Sequence, residues 1–229
     1  MKIVCFLYPS FTAIDLIGPV TAWNMIPDTH FEFVATSRGP VRTDTGLEVT
    51  ATHDLSTCTT SPDVVFVPGG GITSFEAIQD DKFLDTIALA SSRATWITSV
   101  CTGSLILGAA GLLRGYRAAS YWYARPYLER FGAIPDDSRV VIDRNRASGG
   151  GVTAGIDFGL LMAAEWTNPT QGATIELLME YAPQSPFDSG RPELASSDVL
   201  ARAIQLVGPE MPETLILQAA KRRGFAPSA

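Results

Sequence analysis

"SVCTGSLILGAAGLL", residues 99–113, decides how this chain folds. An apolar, β-branched run closes at Val100, and after Cys101-Thr102-Gly103-Ser104 the composition turns to small, helix-compatible residues. A strand that runs straight into a helix is the repeating unit of a parallel sheet with helical cover. In open sheets of this kind ligands bind beyond the carboxyl ends of the strands, which is where Cys101 falls. Its thiol is expected at a helix N-terminus, where unpaired N–H groups and the macrodipole favour an anion and lower a cysteine pKa. A tight strand–turn–helix corner also presents a nucleophile, with neighbouring amides free to hold developing charge. The competing reading is a small buried filler, a common use of a free cysteine.

Outward from that corner, short runs rich in Val, Ile, Phe and Thr alternate with longer helical stretches, the pattern of a parallel sheet covered on both faces. The expected strands are 2–8, 31–37, 47–53, 63–69, 95–100 and 139–143. The expected helices are 12–26, 73–91, 102–113, 122–131, 153–166 and 169–181. LEVTATH (47–53) follows FEFVATS (31–37) so closely that a hairpin or edge insertion must interrupt the rhythm. A Pro/Ser-rich excursion, PQSPFDSGRPELASSD (183–198), precedes a final helical region at 196–223 that is interrupted near Gly208-Pro209 and Pro212. The expected organisation is an α/β domain over 1–182, with a linker and helical extension over 183–229 packed on it or on a dimer partner.

At 229 residues and 46% hydrophobic content, the chain can bury one large core. Three widely spaced cysteines (Cys5, Cys58, Cys101) form neither zinc-type CxxC pairs nor an even disulfide framework, so a reducing, cytoplasmic setting is expected and no metal site is read. MKIVCFLY has no signal-peptide layout, and no run approaches the roughly 20 apolar residues of a membrane span. A net charge of −7 and a pI near 4.8 argue against nucleic-acid binding.

A cysteine nucleophile usually works with a histidine. Only two exist here, His30 in the polar link PDTH and His53 at the end of LEVTATH, and both read as solvated loop or edge residues. Without them a carboxylate must handle protons. Asp15 in FTAIDLIGPV is the candidate: a lone acid among Ala13, Ile14, Leu16 and Ile17, before Gly18-Pro19, which reads as a constrained turn. Burial there raises its pKa and leaves it protonated as an acid; the plainer reading is an acid complementing the helix dipole. VFVPGGGITSF brings Gly69, Gly70 and Gly71 to a strand end, where backbone amides can approach a ligand closely. It lacks the Lys-Ser/Thr of a P-loop and the spacing of GxGxxG. SGGGVTAGIDFGLLMAAEW (148–166) is a second glycine loop feeding a helix, with Val152 at its start.

D-L-x-G-P after the first strand, V-P-G-G, S-V-C-T-G-S-L-x-L-G-x-A-G-L-L and G-G-G-x-T-A-G-I-D-F together resemble the ThiJ/PfpI superfamily, over about residues 1–182. The resemblance implies a flavodoxin-like three-layer sandwich with a mostly parallel central sheet, as in class I glutamine amidotransferases. The aspartate in IDLIGP and the segment YAPxxPF (181–187) are similar to an isocyanide-hydrating branch of that superfamily. That implies addition of a Cys101 thiolate to the isocyanide carbon while Asp15 delivers a proton, then hydrolysis of the thioimidate to an N-substituted formamide. It further implies that Thr102 and the amides of Gly70 and Gly71 line the site, that no cofactor is needed, and that the protein is a homodimer with DLIGP near the interface. Tyr121 and Val152 complete the candidate lining. Tyr121 stands where many members carry histidine before tryptophan; its hydroxyl donates a hydrogen bond but is no base near neutral pH. Trp122 and Tyr123 read as helix packing. The rival readings are a glyoxalase- or deglycase-like enzyme acting on 2-oxoaldehydes, a cysteine redox sensor or chaperone, and the ligand-sensing half of a regulator.

Overall fold

The run KIVCF forms β1 (Lys2–Phe6), and its last four residues are completely buried, as a strand covered on both faces must be. A computed structural model describes residues 1–225; the last four residues of the expected extension lie outside the described residues. After β1 come α1 (Ala13–Trp23), β2 (His30–Ala35), β3 (Gly39–Arg42), β4 (Glu48–Ala51), β5 (His53–Asp54) and β6 (Val64–Val67). Next are α2 (Gly71–Ala77), α3 (Asp81–Ser91), β7 (Trp96–Val100), α4 (Gly103–Ala109) and β8 (Arg117–Ala118). A 3-10 helix (Arg125–Phe131) leads to β9 (Ile134–Pro135), β10 (Val140–Asp143) and β11 (Arg146–Gly149). The helices α5 (Ala154–Trp166), α6 (Pro169–Leu178), α7 (Ser197–Val207) and α8 (Glu213–Arg222) complete the described chain.

Seven strands form one sheet in the order β10-β11-β7-β6-β1-β2-β5, parallel except for the edge strand β10, which runs antiparallel to β11. Helices α1, α5 and α6 pack together, while α2, α3 and α4 form a second group. This is the α/β sandwich expected from the sequence, with helices added at the C-terminal end. Trp23 joins sheet and helices on the first face: its ring meets Phe66 edge-on at 5.2 Å and its indole N–H donates to the Gly159 carbonyl at 3.0 Å.

The insertion after β2 is the hairpin β3–β4, and its first strand begins at the Gly39-Pro40 that reads as a turn in the sequence. The expected helix over 73–91 is two helices, because Asp80 accepts the Phe83 N–H at 3.0 Å and so caps a new start. The helical segment expected over 102–113 ends at Ala109, and that over 122–131 is 3-10 from Arg125, with Pro126 in its first turn; Trp122 and Tyr123 lie in the turn before it. Ser148-Gly149, expected in a glycine loop, belongs to β11, paired in parallel with β7. Gly18-Pro19 is not a turn but the interior of α1. There the two helices nearly touch, since a Cβ at Gly159 would lie 2.7 Å from Pro19 Cα and one at Gly18 3.1 Å from Ile156 Cγ1. The Gly-Pro pair therefore serves close helix packing.

Candidate active site

Loops 7–12, 68–70, 101–102 and 150–153 follow four neighbouring strands, β1, β6, β7 and β11, and meet beyond their carboxyl ends. Cys101 is held there at φ +56°, a left-handed conformation uncommon outside glycine. Its N–H is shared between the carbonyls of Gly149 (3.1 Å) and Gly150 (2.8 Å), and its own carbonyl accepts from Ser104 Oγ and Ser120 Oγ, each at 3.0 Å. Four hydrogen bonds thus fix one strained residue, a pattern that concentrates at functional positions. Gly103 makes the corner passable, because a side chain there would strike the Val67 and Pro68 carbonyls.

Asp15, in the first turn of α1, is completely buried. Its Oδ2 accepts the Gly69 N–H at 3.0 Å, while Oδ1 has no hydrogen-bond partner among the described residues. A carboxylate oxygen left without a donor and out of water is costly. Burial accordingly pushes the Asp15 carboxyl up to about 8, against weaker downward pulls from the Gly69 amide and the Cys101 side chain; nearby Asp44 adds to the rise. Gly69 is the point where the pair converges: a Cβ there would lie 2.7 Å from Cys101 Cβ, 2.7 Å from Thr102 N and 2.8 Å from Asp15 Oδ2.

The thiol departs from expectation. Burial pushes Cys101 up and an ionised Asp15 pushes it further, while the Thr102 N–H and hydroxyl act downward. The helix N-terminus alone does not yield an acidic thiol at a site this buried. Because Asp15 keeps its proton at neutral pH, its charge is absent there, and the two groups titrate as one unit.

Thr102 Oγ1 accepts the Gly70 N–H at 2.9 Å and shares a 2.7 Å bond with Ser74 Oγ, which in turn donates to the Gly70 carbonyl at 2.7 Å. The Gly70 amide is therefore engaged within the protein, and of the expected amide pair it is Gly71, first residue of α2, that lines the cavity over Cys101. That cavity measures about 490 Å³, the range of small-molecule sites. Thr102, Tyr121 and Val152 border it with Cys101. Ser10, Thr12, Asp44 and Thr73 supply polar groups, and Ile72, Val207 and Met211 apolar ones. His30 is exposed at the start of β2, and His53 lies in the edge strand β5 with Nδ1 bonded to Thr52 Oγ1 at 2.9 Å; neither borders the cavity. Cys5 is buried core and Cys58 half-buried.

Sequence reasoning missed Ser74 and Tyr8, whose hydroxyls are 2.9 Å apart and which hold the 68–70 loop through Tyr8 donation to the Pro68 carbonyl at 3.0 Å. It also missed Asp44, which accepts the Ala13 N–H at 3.0 Å and so caps α1. A lone Ser in a helical run and an Asp in a hairpin loop carry no local signal of these contacts.

Among curated proteins the chain is similar to isonitrile hydratase of Pseudomonas putida, with 40% identity over 92% of each sequence. Among solved structures it resembles a ThiJ/PfpI family protein from Pseudomonas syringae (TM-score 0.91, 42% identity, covering 96% of this chain and 90% of that one). Drosophila melanogaster DJ-1beta shares the fold at TM-score 0.71 and 20% identity, over 80% of this chain and 98% of its own. The sequence profile of the DJ-1/PfpI family matches residues 1–165, which hold Asp15, Gly69 and Cys101. The chain belongs to the DJ-1/PfpI family.

Proposed function

We propose that the protein hydrates isocyanides to N-substituted formamides, with Cys101 as nucleophile and Asp15 as proton shuttle. The observation that carries this reading is a completely buried acid meeting a cysteine at a nucleophile corner, with neither His30 nor His53 at the cavity. Similarity to an isonitrile hydratase over 92% of the chain supports it.

The isocyanide carbon is basic, and once protonated it is electrophilic. Asp15 gives its proton to that carbon and the Cys101 sulfur bonds to it. The thiol proton passes to the Asp15 carboxylate, so R–N≡C and Cys–SH become R–N=CH–S–Cys with Asp15 as it began. No preformed thiolate is required, which suits a site where burial raises both groups. Water then adds across C=N to give R–NH–CH(OH)–S–Cys. Breaking the C–S bond, with the hydroxyl proton returning to sulfur, releases R–NH–CHO and the thiol. Thr102 N–H faces the sulfur as charge develops, and Gly71 and Tyr121 border the space where the adduct forms.

The aliphatic side chains at the cavity favour an apolar substituent over a hydrated 2-oxoaldehyde. The reading extends to a homodimer, since Ile14 (38% exposed), Ile17 (45%) and Leu47 (58%) leave apolar surface around the start of α1. It takes residues 1–182 as the α/β unit with the extension packed against it, and a cytoplasmic setting from the three free cysteines. No helix among the described residues is long and apolar enough to cross a membrane. Assaying the wild type in parallel on an aryl isocyanide and on methylglyoxal tests the assignment. Formamide release with little 2-oxoaldehyde consumption is expected, and the reverse order of rates would replace this function with the rival one.

A further inference from the structure

The hairpin β3–β4 interrupts the strand–helix rhythm, and its turn reaches the catalytic corner. Residues 43–47 close on themselves: the Thr43 N–H donates to the Leu47 carbonyl at 2.7 Å and the Gly46 N–H to the Thr43 carbonyl at 3.1 Å. That turn carries Asp44 to the rim of the cavity over Cys101, where it is the one charged side chain among the described residues that border it.

Three hydrogen bonds tie the hairpin to the chain that leads into Asp15. The Ser10 N–H donates to the Arg42 carbonyl at 2.8 Å, the Asp44 N–H donates to the Phe11 carbonyl at 3.0 Å, and Asp44 Oδ1 accepts the Ala13 N–H at 3.0 Å. Ala13 opens α1, two residues before Asp15, and the N-cap residue Thr12 makes no side-chain cap bond of its own. A distant element thus supplies the cap. Asp44 is exposed and has no ion pair among the described residues, so no neighbouring cation neutralises it.

An acid in the first turn of a helix is ordinarily drawn toward ionisation by the dipole. Asp15 occupies such a turn, yet the hydration chemistry needs its proton. We propose, resting on the hydratase reading above, that Asp44 is a positioning residue for the reaction: it anchors the first turn of α1 so that Asp15 meets Cys101, and its negative charge offsets the helix field that would strip Asp15 of its proton. Of the other groups around Asp15, the Cys101 thiol faces it from the corner after β7, and the Tyr8 phenol, from the loop after β1, feels its charge. On α5, which packs along α1, Asp157 is bonded to Arg139 and Tyr181, and Glu165 lies at the far end. Arg42 of the hairpin has its guanidinium beside Gly46. The exposed charge available to act on Asp15 from the cavity side is therefore that of Asp44.

The test uses Asp44→Asn, which keeps an oxygen for the Ala13 N–H and removes the charge, and Asp44→Ala, which removes both. The high-pH fall in kcat/KM for an aryl isocyanide is expected to move to lower pH by about half a unit in both variants, a roughly threefold loss of rate on that limb, the scale of one exposed charge. Added salt screens an exposed charge, so the gap between wild type and Asp44→Asn should close between about 0.05 M and about 1 M. Asp44→Ala alone should also lose kcat severalfold at every pH and about 2–4 °C in Tm, through the missing cap. Superimposable pH profiles for Asp44→Asn and wild type overturn the charge role, and so does a shift that salt leaves unchanged, which would come from a displaced cap. Wild-type kcat and Tm in Asp44→Ala overturn the anchoring. A second readout needs no isocyanide: the pH at which Cys101 becomes open to alkylation by iodoacetamide should fall by the same amount, because Asp15 and Cys101 titrate together. That shift without formamide formation by any of the proteins supports the coupling of Asp44 to Asp15 while the hydratase reading fails; no alkylation shift overturns the coupling whatever the turnover.

Discussion

Replacing Asp15 with asparagine is expected to stabilise the protein while removing its activity, and the gain should grow with pH. The carboxyl sits at about 8 in the folded protein against 3.8 in a solvated reference, because burial disfavours the charged form. Between those two values the native state holds a proton that the unfolded chain has released. Wild-type stability from this group is therefore fully present below about pH 4 and is lost as the pH climbs toward about 8, at about 1.4 kcal/mol per pH unit. Between about pH 5 and about pH 7 the loss comes to roughly 2.7 kcal/mol. Asparagine keeps an oxygen for the Gly69 N–H and does not titrate, so D15N escapes that loss. For a chain of 229 residues the difference corresponds to about 5–10 °C in Tm. Urea unfolding of both proteins at the two pH values reads it directly. A stability gap between D15N and wild type that stays constant with pH, or widens toward acid, would refute the reasoning that Asp15 is a buried, protonated acid.

Three further substitutions probe the geometry. Gly69→Ala places a methyl group 2.7 Å from Cys101 Cβ and 2.8 Å from Asp15 Oδ2, so it should lower stability by about 1–3 kcal/mol and turnover by about 10²-fold; thermal melts and steady-state rates check both. Thr102→Val leaves the buried Gly70 N–H and Ser74 hydroxyl short of a partner, which should cost about 1–3 kcal/mol in urea unfolding, and a variant as stable as wild type would show that the network matters little. Arg222→Ala cuts the α8 hydrogen bonds to Ile78 and Gln79, and an expected loss of about 1–2 kcal/mol should appear as faster amide exchange in α8, with β6 and β7 unaffected.

The site was legible in the sequence where a residue contradicted its local pattern. Cys101 stands between an apolar strand and a small-residue helix, and Asp15 interrupts an apolar run; the structure brings the two residues together around Gly69. The Asp80 cap that divides α2 from α3 also had a local signal, an acid three residues before an apolar position, but the continuous helical pattern outweighed it. Strand β11 had none. Its Arg-Ala-Ser-Gly sequence is a poor strand former, and it is extended because β7 and β10 pair with it on either side. Gly149 is required there by close approach, since a Cβ would lie 3.2 Å from Phe158 Cβ and Val100 Cγ2. The placement of Met211 over a cysteine 110 positions earlier likewise depends on how α8 docks, which no local pattern encodes.

The central claim is that Cys101 and Asp15 act together on an isocyanide. Its most direct test is the rate of N-formamide formation from a simple aryl isocyanide by the wild type, Cys101→Ala and Asp15→Asn, each confirmed folded. The account predicts steady turnover by the wild type, none measurable for Cys101→Ala, and a loss of about 10²–10⁴-fold for Asp15→Asn, the scale of a removed general acid. Formamide production by Asp15→Asn at the wild-type rate would contradict the proton-shuttle role, and production by Cys101→Ala would contradict the covalent mechanism itself.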